Sequence, residues 1–301
     1  MRIGFIGLGK MGLEMAARAT KAGHDLIGYD IVQKASEKAK ERKIKTVATL
    51  EELLATLEKP RTIWLQVPPG KRTNDIIGLL EKLVDVGDTI IDGGNSDFRD
   101  SLKTAKILQE KQINFMDVGV SGGVAGARNG CGLLVGGTTE QYNQMIPFFE
   151  ALAAPGGYSY CGGVGAGHFA KTIHNGVEYA LMQAYAEGYE MLAASEIDID
   201  IISVLSAYQN GCSIRSHILE KMIEALKPDS KLTGVEGFVA DSGMGRWTVE
   251  EAMRLKVPTP TISAALQARF RSQQKDSPAM QCLAALRGTI GGHPVKYKRG
   301  N

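Results

Sequence analysis

The chain has 301 residues, 44% of them apolar and 23% charged, with a formal net charge of +2. That length holds two domains or one large α/β domain, and the balance is that of a globular protein. The small net charge argues against nucleic acid or a membrane surface as partner, and no run of 18 apolar residues offers a span.

Four cysteines, at 131, 161, 212 and 282, are scattered with no CxxC pair. They read as free thiols in a reducing compartment. Five histidines show no metal-ligand spacing such as HExxH, so no metal is expected. A strand entered by Ile3 leaves no room for a signal peptide, and the expected location is cytoplasmic.

In chain order, Arg2–Ile6 reads as a buried strand, and Gly7-Leu8-Gly9-Lys10-Met11-Gly12 opens a helix running to about Ala22. Residues 26–30 read as a second strand and 33–42 as a charged helix. Further strand candidates lie at 62–67, 89–92 and 114–118, with helical patterns near 49–57, 73–84 and 98–111 between them. Alternating strands and helices with short links predict a doubly wound, mostly parallel sheet of the Rossmann type, which 133–136 and 158–161 would complete. From Ala166 the pattern turns almost wholly helical, at 166–195, 198–209, 212–226 and 260–286. The expected division is therefore a dinucleotide-binding domain over 1–164 and an all-α domain over 165–301. The last dozen residues read as an irregular, basic tail.

The glycine motif follows a strand and opens a helix, the context in which it has a mechanism. Glycines allow a tight turn and close backbone approach, and the helix N-terminus favours a pyrophosphate. Asp30 ends the second strand, 18 residues after Gly12. A carboxylate there binds ribose hydroxyls and repels a 2′-phosphate. Ile31, Val32 and Gln33 follow with no arginine, so NAD is expected over NADP, although Lys34 and Lys38 nearby leave NADP open. The expected cofactor set is Gly7, Leu8, Gly9, Lys10, Met11, Gly12 and Asp30, with Val67 and Asn95 at the ends of later strands.

Lys171, His174, Asn175 and Glu178 stand at i, i+3, i+4 and i+7 in Gly167-His-Phe-Ala-Lys-Thr-Ile-His-Asn-Gly-Val-Glu-Tyr179. On a helix they share one face, with Tyr179 at its edge. The bland reading of such a stripe is a solvated surface, since lysine and glutamate are usually exposed. Buried, it is costly unless its groups are paired or used.

Two more segments join this helix: Ile91-Asp-Gly-Gly-Asn-Ser96 and Asp117-Val-Gly-Val-Ser-Gly-Gly-Val-Ala-Gly-Ala-Arg128, each following a strand. Together with GHFAKTIHNGVEY they resemble the 6-phosphogluconate dehydrogenases of the β-hydroxyacid dehydrogenase superfamily, over nearly the whole chain. Sister enzymes acting on small hydroxy acids look like DxSTxxP at the first segment and GKxxKxxNN in the helix. The resemblance implies oxidative decarboxylation of 6-phospho-D-gluconate to D-ribulose 5-phosphate with reduction of NAD, in the pentose phosphate pathway. It implies that Asn95, Ser121, Gly122 and Gly123 contact the sugar acid, that Lys171, His174, Asn175 and Glu178 hold the reacting end, and that Tyr179 and Arg269 touch the phosphate. Lys171 would act as base and Glu178 as proton donor. The run Asp241-Ser-Gly-Met-Gly-Arg-Trp-Thr248 looks like a shortened form of the family's KGTGKW loop without its phosphate-binding lysine, with Arg246 as the candidate replacement. Arg287 and His293 match a tail pair that the family supplies from a neighbouring subunit, which implies a homodimer or homotetramer. The chain looks like the family's short form. Two other readings remain open: an NAD-dependent dehydrogenase of another β-hydroxy acid, and a non-catalytic NAD-binding sensor, which would need neither Lys171 nor Glu178.

Overall fold

The computed structural model describes residues 1–297. The chain forms two compact units that divide at His174 and Asn175. The division falls inside one helix rather than at its start, where strand gives way to helix.

The first unit holds β1 (Arg2–Ile6), α1 (Lys10–Lys21), β2 (Asp25–Tyr29), α2 (Gln33–Glu41), β3 (Lys45–Thr46), α3 (Leu50–Thr56), β4 (Thr62–Leu65), α4 (Lys71–Leu80), β5 (Thr89–Asp92), α5 (Phe98–Glu110), β6 (Asn114–Ser121), α6 (Gly123–Asn129), β7 (Cys131–Gly136), α7 (Thr139–Leu152), β8 (Ala153–Gly162) and the start of α8 (Ala166–Ala193). Its eight strands lie in the order β3-β2-β1-β4-β5-β6-β7-β8. All neighbours are parallel except β6 and β7. The order reverses between β1 and β4, the switch point outside which an open α/β sheet binds its ligands.

Both sheet faces are buried, as a parallel sheet with helices on both sides requires. Side chains alternate between two cores. Ile63 and Leu65 of β4, Ile90 of β5 and Phe115 of β6 pack with α3, α4 and α5 residues such as Leu53, Leu80 and Leu108. Trp64, Ile91 and Met116 point the other way and pack with Met15 and Ala19 of α1 and Phe148 and Phe149 of α7.

The second unit contains the rest of α8, then α9 (Ile201–Gly211), α10 (His217–Leu226), α11 (Met244–Leu255), α12 (Pro260–Ser272) and α13 (Pro278–Gly291). It has two small apolar clusters. One is Tyr179, Val249, Ala265 and Leu266; the other centres on Leu205, Leu219, Ile223 and Leu226.

The sheet, apart from the two-residue β3, and the switch to helix agree with the expected pattern, but several helices differ. The pattern over 260–286 is two helices, because Ser277 precedes Pro278 and is held out of the helical region at φ −104°, ψ 112°. Its hydroxyl then caps α13 by accepting from the Met280 N–H. The helix expected at 212–226 starts at His217, where Ser216 is the cap. Three helices go unread in the sequence: the short α6, α7, which carries Pro147 in its interior, and α11, which follows a glycine-rich turn. Helix α13 also takes in Ile290 and Gly291 of the expected irregular tail, and residues 298–301 lie outside the described residues.

Candidate active site

The glycine loop joins β1 to α1. Gly7 has φ +97°, a conformation that other residues rarely adopt, and a Cβ on Gly12 would strike the Gly7 carbonyl. Around a Cβ on Gly9 there would be open space. The loop thus presents bare backbone and a helix N-terminus, which fits the pyrophosphate of a dinucleotide. Asp30 stands beside it: Oδ2 accepts from the Leu8 N–H at 2.7 Å and Oδ1 from the Val32 N–H at 2.8 Å. The carboxylate therefore braces the glycine loop, and an acceptor at this place suits the ribose hydroxyls of a dinucleotide. Lys10 is exposed, Leu8 is buried, and Met11 and Val67 are half-buried.

Next along the sheet edge, Asp92 is buried at the end of β5 and accepts from the Gly94 N–H (2.8 Å) and the Ser96 hydroxyl (2.7 Å). Between them Asn95 takes a left-handed conformation, φ +58°. Its amide nitrogen donates to the Val120 carbonyl (3.0 Å) and its oxygen accepts from the Val120 N–H (2.8 Å). Asn95 thereby fixes the end of β6, and one amide N–H and one carbonyl lone pair remain for a ligand. Directly beyond Val120 lie Ser121, Gly122 and Gly123, the two glycines at φ +116° and +59° and exposed.

The amine of Lys171, a residue only 7% exposed, lies 3.2 Å from Nδ1 of His174. Nε2 of the same ring lies 3.1 Å from the Ser121 hydroxyl. The His174 ring bridges the Lys171 amine and the Ser121 hydroxyl, one nitrogen to each, with the direction of each bond set by the tautomer. Ser121 and Lys171 are thus the ends of one hydrogen-bonded chain. Asn175, also buried, donates to the Met244 sulfur at 3.2 Å, and Glu178 is half-buried. Helix α8 inverts the usual pattern here: Lys171 and Asn175 are buried while Ile173 and Val177 are 37% and 45% exposed.

In the second unit Tyr179 is buried, and its hydroxyl lies 3.1 Å from the Ser242 hydroxyl. The Arg269 guanidinium sits over the ring at 3.7 Å, a cation–π contact. Gly245 has no Cβ to strike that ring. Arg246, the candidate for the missing lysine, pairs instead with Asp241 at 2.7 Å. Ser242, beside the Tyr179 hydroxyl, goes unnoticed in the sequence. Arg287 and His293 are exposed at the end of α13, where Gly292 turns the chain back so that the His293 N–H meets the Arg287 carbonyl at 3.4 Å. No hydrogen bond among the described residues joins either to Tyr179 or Arg269.

The sequence reading also passes over Asp117. This carboxylate is fully buried, and burial pushes it above the ordinary carboxylate range, while the His168 imidazole and two backbone N–H donors pull it down. A lone acid in an otherwise apolar strand is the signal that marks it.

Comparison with known proteins gives the chain's family. Residues 2–165 match the NAD binding domain of 6-phosphogluconate dehydrogenase and residues 167–289 match that family's C-terminal domain. The chain is 38% identical to a putative 6-phosphogluconate dehydrogenase, YqeC, of Bacillus subtilis, over 99% of this chain and 100% of that protein. It is 38% identical to an NAD(+)-dependent, decarboxylating 6-phosphogluconate dehydrogenase of Haloferax volcanii, over 99% of both. A longer Lactococcus lactis enzyme, 36% identical, is covered over only 61% of its length. Among solved structures, a Plasmodium falciparum 6-phosphogluconate dehydrogenase superposes with a TM-score of 0.84 at 28% identity, covering all of this chain and 67% of that one. A Mycobacterium tuberculosis 3-hydroxyisobutyrate dehydrogenase shares the fold, with a TM-score of 0.71 at 22% identity. The chain belongs to the 6-phosphogluconate dehydrogenase family.

Proposed function

We propose that the protein oxidises 6-phospho-D-gluconate with NAD and releases CO2, forming D-ribulose 5-phosphate as in the pentose phosphate pathway. One observation carries this reading: the buried Lys171 amine is held by His174, itself tied to Ser121, on a helix that also bears Asn175 and Glu178. Bound NAD supplies the hydride acceptor. Asp30 brackets the glycine loop, and its charge disfavours a 2′-phosphate.

Lys171 as neutral amine takes the proton of the C3 hydroxyl while C3 loses hydride. As ammonium it then donates to the new C3 carbonyl oxygen. When the C1–C2 bond breaks, its electron pair flows toward that oxygen and CO2 leaves. A cation beside the oxygen stabilises the developing enolate. Glu178 serves as the acid that delivers a proton to the former C2, which becomes C1 of the product. Asn175, His174 and Ser121 orient the acid end, and a β-keto acid of this kind loses CO2 without requiring a metal. Tyr179, Ser242 and Arg269 suit the phosphate, with Arg287 and His293 arriving from a second copy of the chain in a homodimer or homotetramer. The exposed stripe Ile173, Val177 and Leu181 on α8 and the uncovered α13 support such an assembly. A cytoplasmic setting accompanies the reading.

The test is NADH formation with 6-phosphogluconate, gluconate and 3-hydroxyisobutyrate. A site built to hold a phosphate rejects acids that lack one, so kcat/KM should favour 6-phosphogluconate by at least ~10³-fold. A preference for either unphosphorylated acid would overturn the proposal.

A further inference from the structure

Asp117 plays no part in the chemistry above, yet it is fully buried and highly connected. It stands near the carboxyl end of β6. Its Oδ1 accepts from the Gly165 N–H at 2.6 Å and its Oδ2 from the His168 N–H at 2.7 Å. Those are the residue before α8 and the third residue within it. The first N–H groups of a helix have no partner inside the helix, and their partial positive charge favours a carboxylate. Helices α3, α5, α7, α9, α10 and α13 take the side chain of their own preceding residue. A local cap of that kind ends a helix but does not fix it in space. A carboxylate on a strand 48 residues earlier than Gly165 also sets where the helix begins relative to the sheet.

Three glycines act in the same place. A Cβ on Gly136 of β7 would strike the Asp117 carboxylate, and one on Gly167 would strike the Leu134 carbonyl and lie 2.5 Å from the Asp117 carbonyl. A Cβ on Gly119 of β6, two residues beyond Asp117, would lie 2.5 Å from the Cβ of Lys171. The first turns of α8 therefore rest directly on strand backbone. A third tether comes from His168, buried at 1% exposure, whose Nδ1 lies 2.7 Å from the Ser101 hydroxyl on α5.

We propose that Asp117, with Gly136 and Gly167 leaving room beside it and Gly119 leaving room for Lys171, is the positioning residue that sets the Lys171 amine against Ser121 and the substrate C3. The inference rests on the function proposed above. Lys171 is the sixth residue of α8 and lies less than one turn beyond His168, so an axial slip or rotation at Asp117 reaches the amine undiminished.

The experiment uses the full-length protein and Asp117→Asn, which keeps the shape but puts an NH2 group where one backbone N–H needs an acceptor. A misplacement of about 1 Å can cost 10²-fold in rate. The expected result is a kcat lower by roughly 10- to 100-fold, with KM for 6-phosphogluconate and Kd for NAD changed less than about threefold. The primary isotope effect on kcat with C3-deuterated substrate should rise as hydride transfer becomes slower. A purely structural role would lower the melting temperature and leave kcat of the folded protein and the isotope effect unchanged, and that outcome overturns the proposal. If Asp117→Asn does not fold, Gly119→Ala is read instead: a loss of kcat at steady KM supports the proposal, and wild-type kcat overturns it. No turnover by the unmodified protein overturns the functional reading together with this one. Normal turnover by both unmodified and variant proteins overturns only the positioning of Lys171.

Discussion

The two units solve the burial problem differently. The sheet unit covers both faces of its eight strands and fills two continuous cores with side chains such as Phe5, Trp64 and Phe148, all fully buried. The helical unit has two small clusters and leaves Met191, Phe238, Met253 and Ile290 between 59% and 78% exposed. Helix α13, 14 residues long, has no buried residue at all. Exposed apolar surface on this scale marks an interaction face. The sheet unit has continuous cores, whereas the helical unit leaves more of its large apolar side chains outside its small clusters.

The proposed chemistry gives the largest expected effects, since it assigns one role to Lys171 in the first unit and one to Glu178 in the second. Lys171→Met and Glu178→Gln should each lower kcat by about 10²–10⁴ while NAD affinity, a property of the sheet unit, stays within twofold. Stopped-flow turnover and NAD titration check this, and a near-normal kcat in either variant removes that residue from its role.

The proposed service of α13 to a second copy is tested by mixing. Lys171→Met protein and Arg287→Ala/His293→Ala protein are each expected to be inactive alone. After subunit exchange at equal amounts, roughly one site in four has all its native residues if α13 serves the neighbour in a dimer. Activity should return to that level; if the tail serves its own chain, the mixture stays dead. In the same spirit, Leu283→Glu on exposed α13 should shift the mass seen by light scattering toward monomer, while Leu79→Glu on α4 of the sheet unit leaves it unchanged.

Within the sheet unit, Asp30→Ala removes both an acceptor for the Leu8 N–H and the charge that repels a 2′-phosphate. Weaker NAD binding by about tenfold is expected, with a narrowed preference over NADP. Equal use of both cofactors by the unmodified protein would contradict the assignment. The smallest effect is at the thiols. Burial pushes Cys131 up to about 11, so little thiolate exists near neutral pH, whereas Cys212 is exposed. Cys131 should label slowest with a thiol reagent until the sheet unit unfolds, and rapid labelling there would contradict the packed core.

The same contrast governs what could be read from the residues alone. The sheet was legible because strand periodicity, the glycine turn and Asp30 are local signals. So was the polar stripe, since Lys171, His174, Asn175 and Glu178 repeat at helical spacing. The unread parts depend on contacts distant in sequence. Asp117 meets Gly165 and His168 only once β6 and α8 are packed, Asn95 meets Val120 across two strands, and Ser242 meets Tyr179 across 63 residues. The pairing of Arg246, a candidate replacement for the missing lysine, with Asp241 was likewise not read in the sequence. Helix α7 stayed hidden because Pro147 opposes it locally, and tertiary packing of Phe148 and Phe149 overrides that preference.

The central claim is that one set of side chains both oxidises C3 and releases C1. The direct measurement feeds substrate labelled with ¹³C at C1 and counts labelled CO2 against NADH in the same reaction. The account predicts one CO2 for each NADH, and the same ratio in the residual activity of Lys171→Met. NADH formed without labelled CO2 would contradict it, leaving a dehydrogenase that stops at the keto acid.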